Sequence, residues 1–150
     1  ICACLVGSEM CIRDRNKSCE SKNKQNCIVF AISNTIWRNN MLGKIVKVTV
    51  DRPMGTYHPK HKDIYYPINY GYIEGIMAPD GEEQDAYILG VNKPVEEFTG
   101  KVIAIIRRLN DVEDKWGVSQ ENKLYSKEQI EEQVWFQEKY FEYEIECAEE

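Results

Sequence analysis

No cysteine lies between Cys27 and Cys147, and the 150-residue chain has only two histidines. The stretch that must build a core is therefore free of a disulfide framework, and a reducing, cytoplasmic setting is expected. No CxxC pair occurs, and Cys2-Ala3-Cys4 is a poor start for a tetrahedral zinc site. Basic charge is also short: the net charge of -6 argues against a nucleic-acid partner, which wants a basic face. Long apolar runs are missing, since stretches such as Val102 to Ile106 are far too short to span a bilayer, so no membrane partner is expected. No GxSxG is present, and no cysteine after residue 40 has a plausible base, so nucleophilic hydrolase chemistry has little support. There are no internal repeats or low-complexity tracts.

Residues 1–40 do not belong with the rest. They sustain no amphipathic period, and they carry six Lys or Arg against three acids in a chain that is acidic overall. A signal peptide would need a longer apolar core than Ile1 to Gly7 supplies. The string CLVGSEMCIRDR resembles a translated sequencing linker, which implies a natural start at Met41 and non-native sequence before it. The alternative is a poorly ordered natural extension. Neither reading assigns it a function.

From Met41 to residue 150 the chain reads as one domain. Lys44 to Val50 alternates as a half-buried strand, and Asp51-Arg52-Pro53 ends it. His58-Pro59-Lys60-His61-Lys62 forms a basic loop, in which the two histidines are either a metal pair or simply solvated. Ile64 to Tyr72 is β-prone but interrupted by Pro67 and Gly71, so a bent strand or bulge is expected. Asp80-Gly81 marks a tight turn, and Gln84 to Val91 the next strand. Val95 to Thr99 reads as a connection, Lys101 to Arg107 as the central strand, and Lys115 to Ser119 as the final one. Ser126 with Gln129 then fits a capping box, followed by Ile130, Val134, Phe141 and Ile145 on one helical stripe. The expected fold is mainly β with α (α+β): a small closed, OB-like five-stranded β-barrel with a C-terminal helix packed on it.

Two acidic turns stand out. Asp80, Glu82 and Asp85 surround the first, and Asp111, Glu113 and Asp114 the second. If both lay at one barrel rim, their mutual repulsion would call for cations, and oxygen-only donors suit Mg²⁺, Mn²⁺ or Ca²⁺. Ordinary solvated turns account for the composition equally well. An EF-hand is excluded, because the interior Gly and terminal Glu are not at the required offsets. Tyr66, Tyr70 and Tyr72 read either as packing or as hydrogen-bond donors to an anion.

The run YPINYGY from Tyr66 to Tyr72, followed by Asp80-Gly81-Glu82-Glu83-Gln84-Asp85 and an apolar strand, resembles the soluble family I inorganic pyrophosphatases. Their signature is D-G-D-P-x-D, and the resemblance covers most of Met41 to Ser119. It implies hydrolysis of pyrophosphate with Mg²⁺, Mn²⁺ being an alternative, in a soluble protein, with a homo-oligomer as one expected state. It implies metal ligands at Asp51, Asp80, Asp85, Asp111 and Glu113, with Asp85 bridging two cations. Glu82 would stand for the aspartate that takes a proton from water, and Tyr70 and Tyr66 for the two active-site tyrosines. Lys115 and Tyr140, the latter on the last helix, would bind phosphate. Departures are the extra methylene of Glu82, Phe141 in place of a lysine, and a shortened basic hairpin for which Lys60 and Lys62 would substitute. A second reading follows from these departures: an altered descendant that binds metal and a phosphorylated ligand with little turnover.

Overall fold

The computed structural model describes residues 40–148, so the expectations for the N-terminal extension lie, but for residue 40, outside the described residues. Six strands and one helix follow in the order β1 (Ile45–Arg52), β2 (Asn69–Met77), β3 (Glu83–Ile88), β4 (Glu97–Arg108), β5 (Asp114–Ser119), α1 (Lys127–Glu138) and β6 (Tyr143–Cys147). Strand β1 forms because Val46 and Val48 alternate with exposed Ile45 and Lys47, giving one buried face at period two.

Antiparallel pairing joins β1 to β2, β2 to β3, β5 to β4, and β4 back to β1; β3 and β5 run parallel. These five strands close a barrel. β6 lies outside it, on β4. The long β4 serves both: Glu97 to Lys101 pairs with β1, and Ala104 to Arg108 pairs with β6. Its register against β5 shifts between Val102 and Ala104, where one edge passes from the barrel to the extra strand.

The alternation divides the apolar residues into two layers. Val46, Val48, Ile73, Ala86, Ile88, Val102, Ile105, Trp116 and Val118 come from all five barrel strands and fill the interior. Tyr70, Tyr87, Leu89, Ala104 and Ile106 face outward and are covered by Ile130 and Val134 of α1, Ile145 of β6 and Tyr66 of the preceding loop. The helix starts as its sequence directs: Gln129 N–H donates to the Ser126 hydroxyl, and the Ser126 N–H donates to the Gln129 side chain. No helix among the described residues is long and apolar enough to cross a membrane.

Several boundaries differ from the sequence reading. Residues 64–68 form a loop with one bridge, Tyr57 to Tyr65, and the strand begins only at Asn69. Asn69 accounts for this: its buried side chain accepts from the Met54 and Val95 N–H groups and donates to the Lys93 carbonyl, fastening two loops. Glu97 to Thr99, expected in a connection, begins β4. The helix ends at Glu138, so Phe141 and Ile145 do not continue its stripe. Tyr143 to Cys147 instead pairs with β4, because ladder bonds to an open edge outweigh the weak helical signal there.

Gly71 sits where β1 crosses closely. A Cβ there would stand 2.0 Å from the Thr49 carbonyl oxygen. Gly71→Ala is expected to cost about 1–3 kcal/mol, seen as a lower urea midpoint at unchanged slope.

Candidate functional site

Neighbouring strands bring four of the predicted residues, Tyr70, Asp85, Glu113 and Lys115, together on the outer face of the barrel. Tyr70 opposes Tyr87 and Tyr72 opposes Asp85 across β2 and β3. The parallel register pairs Ala86 with Trp116, which sets Lys115 beside Asp85. Because Ala86 and Trp116 fill the interior, Asp85 and Lys115 point the other way. Strand alternation places Asp85 on this face.

Lys115 is buried, and its Nζ donates to Asp85 Oδ2 and to Glu113 Oε2, the latter at 2.6 Å. The same Nζ lies 6.0 Å from the Tyr70 ring centre. Burial first, and then the Asp85 carboxylate, push the Tyr70 phenol well above its usual range, so it stays protonated as a donor. Tyr66 is fully buried, and burial raises its phenol as well, with the neighbouring Arg52 guanidinium opposing the rise.

Arg52 was missed by the sequence reading, which singled out its neighbour Asp51 as a metal ligand and took Arg52 itself only as part of a strand end. A register shift between Val50 and Arg52 aligns Arg52 with Tyr70, and its guanidinium lies 5.6 Å from the Tyr70 ring centre and 5.8 Å from that of Tyr66. Asp51 lies at the same irregularity. Desolvation lifts its carboxyl above the usual range; Arg52 opposes this and Asp85 adds to it, so Asp51 and Asp85 feel one another. A cation immediately after an acid at a strand end was the available signal.

The other predicted residues are more scattered. Asp80 accepts the Glu82 N–H at 3.0 Å, and Glu82 is exposed on the turn between β2 and β3. Asp111 bonds Arg108 at 3.3 Å. Lys60 and Lys62 are exposed in the basic loop. Tyr140, expected on the helix, lies beyond it and is 56% exposed, with Lys139 over its ring.

His58 stacks at 6.4 Å on Tyr66, and its Nδ1 accepts the Lys60 and His61 N–H groups at 3.1 and 3.0 Å. Its remaining nitrogen carries the proton in the neutral ring. Desolvation, then the positive charges of Arg52, His61 and Lys60, hold its pKa below the ordinary value. A lowered folded-state pKa gives stability that is complete above about pH 6.5 and lost as pH falls through the folded value. From about pH 7 to 5, wild type is expected to lose more stability than His58→Gln in urea titrations.

The expected donors are chemically suited to a hard dication, being carboxylate oxygens. Their placement is not a coordination set. Among the described residues no three His, Cys, Asp or Glu side chains gather closely enough to hold a metal ion. The reason is visible in the ion pairs: Lys115 joins Asp85 to Glu113, and Arg108 takes Asp111.

A closed five-stranded mixed barrel with an outer-face site of carboxylates, cations and tyrosines defines the class. Among solved structures, that of an inorganic pyrophosphatase from Ehrlichia chaffeensis superimposes with a TM-score of 0.55 at 14% identity, covering 71% of this chain and 87% of that one. An inorganic pyrophosphatase from Coxiella burnetii gives 0.49 at 16% identity, over 73% and 88% of the two chains. One from Neisseria gonorrhoeae gives 0.46 at 18%, over 65% and 78%. No family model matches the sequence, and no curated protein matches it. The chain has the fold of the inorganic pyrophosphatases.

Proposed function

We propose that the outer-face site binds pyrophosphate and hydrolyses its phosphoanhydride bond. The observation that supports this most is the convergence of Asp85, Lys115, Glu113 and Tyr70 on one face of this fold. Lys115 and Arg52 bring positive charge to a substrate whose terminal oxygens carry its negative charge. Tyr70, kept protonated, donates to a phosphoryl oxygen, and Asp85 orients Lys115 while presenting a carboxylate toward the attacking water. Glu82 is the proposed proton acceptor, with Asp80 fixing the turn that carries it. The proposal extends to Mg²⁺ or Mn²⁺: Asp51, Asp80, Asp85, Asp111 and Glu113 would hold such an ion only once Lys115 and Arg108 release Asp85, Glu113 and Asp111, and it would supply neutralisation of phosphoryl oxygens and a more acidic water.

A second reading, binding of a phosphorylated ligand with little turnover, is favoured by Lys115, which already occupies both Asp85 and Glu113. Phosphate release from pyrophosphate by the full chain, measured with Mg²⁺, with Mn²⁺ and with chelator, separates the two. Turnover supports hydrolysis; calorimetric binding of pyrophosphate without turnover selects the second reading. Neither binding nor turnover would sink both.

A further inference from the structure

The buried stripe of α1 contains a charge. Ile130, Val134 and Glu138 follow at i, i+4 and i+8, and all three are fully buried. A leucine at 138 would continue the stripe, and replacing a buried ion pair with well-packed apolar residues is often neutral or stabilising. Glu138 therefore is not explained by packing alone.

Its contacts lead toward the site. Tyr87 donates to Glu138 Oε1 at 2.5 Å, while Arg108 donates through Nε at 2.9 Å and through a terminal nitrogen at 2.8 Å. The other terminal nitrogen of Arg108 faces Asp111 at 3.3 Å and Glu113 at 3.9 Å, and the Phe141 ring lies 3.6 Å from the guanidinium. Glu113 is thus shared between Arg108 and Lys115, and Lys115 in turn holds Asp85. Two hydrogen bonds to one carboxylate fix the plane of a guanidinium, and so fix where its free edge points.

We propose that Glu138 is a positioning residue for the outer-face site: by orienting Arg108 it sets how Glu113 is divided between Arg108 and Lys115, and how Lys115 is held on Asp85. Removing the charge at 138 leaves Arg108 without its main counter-ion. Arg108 then draws Glu113 away, and Lys115 keeps Asp85 alone. The effect on catalysis rests on the hydrolytic reading above; the effect on Lys115 does not.

The test uses the full chain with Glu138→Gln, which keeps shape but not charge, and Val134→Ala as a control that loosens the same helix without touching the network. The first readout is the ¹H–¹⁵N signal of the Lys115 ammonium, assigned by its loss in Lys115→Arg. It is expected to shift or broaden in Glu138→Gln and to remain in place in Val134→Ala. The second is the Michaelis constant for pyrophosphate, expected to rise about tenfold in Glu138→Gln only, as when the outer partner of a site residue is removed. An ammonium signal that is the same in Glu138→Gln as in Val134→Ala overturns the proposal. Should Glu138→Gln not fold, Tyr87→Phe, which removes one hydrogen bond to Glu138, must shift or broaden the signal relative to Val134→Ala; an unchanged signal is equally fatal. A wild-type protein that releases no phosphate sinks the hydrolytic reading and leaves the ammonium signal to decide this one.

Discussion

Asp85→Asn is expected to lower phosphate release from pyrophosphate by about 10²–10³-fold or more, a loss comparable to removing one preorganised charge-stabilising group from an active site. The residue stands where three strands meet: it lies across from Tyr72 in β2, beside Lys115 in β5, and close enough to raise the Tyr70 phenol. Asparagine keeps the volume and one acceptor oxygen but not the charge, so Lys115 retains Glu113 as its counter-ion. Asp85 is only partly buried, and the barrel is expected to remain folded. The discriminating measurement is kcat and KM for pyrophosphate beside a urea melt of the same preparation. Unchanged kcat in a folded variant would remove Asp85 from the site. A fall in both activity and stability would mark it as structural.

The second large effect concerns stability. Arg108→Met is expected to destabilise the protein by about 3–5 kcal/mol, the usual result of breaking a buried pair by removing one partner. Glu138 is wholly buried, and Arg108 meets it through two hydrogen bonds. Burial by itself would lower the Arg108 pKa, but its hydrogen bonds and proximity to Glu138 outweigh this and raise it, so the guanidinium stays charged. Methionine fills the stem's space and leaves a carboxylate in an apolar layer with only the Tyr87 hydroxyl to satisfy it. Adding Glu138→Leu is expected to recover most of the loss, because both charges are then absent and the stripe of α1 becomes continuous. Urea unfolding of wild type, both single variants and the double variant closes the cycle. A double variant as unstable as Arg108→Met would show that the pair does not act as a pair. The recovered protein is still expected to be a poor hydrolase, since nothing then orients the acids that face Lys115.

Local pattern carried much of the fold into the sequence. The Val46–Val48 alternation, the Asp80-Gly81 turn and the apolar run of β4 were all legible because each rests on residues close in the chain. The capping box at Ser126 and Gln129 was legible for the same reason. β6 was not. Tyr143 and Ile145 can be fitted to a helical stripe as well as to alternation, and only the free edge of β4 decides between them. Glu138 was hidden because a glutamate on a surface helix is normally solvated, and nothing nearby in sequence announces Arg108 thirty residues earlier.

The candidate site divides in the same way. The candidates on β2 and β3, Tyr70 and Asp85, were legible because the YPINYGY run and the residues around Asp80 and Asp85 are contiguous motifs, and Lys115 on β5 entered through the family resemblance. The sequence by itself also determined the excess of carboxylates over cations that any ligand must meet. The tertiary structure alone decided on which face those residues stand, that Lys115 rather than a cluster of acids holds Asp85, and that Arg52 and Glu138 belong to the same arrangement. The physical reason is range. Turns, caps and alternation are set by neighbours a few residues apart, whereas the partner of a charge is set by strand register and by which side of a closed barrel each side chain leaves.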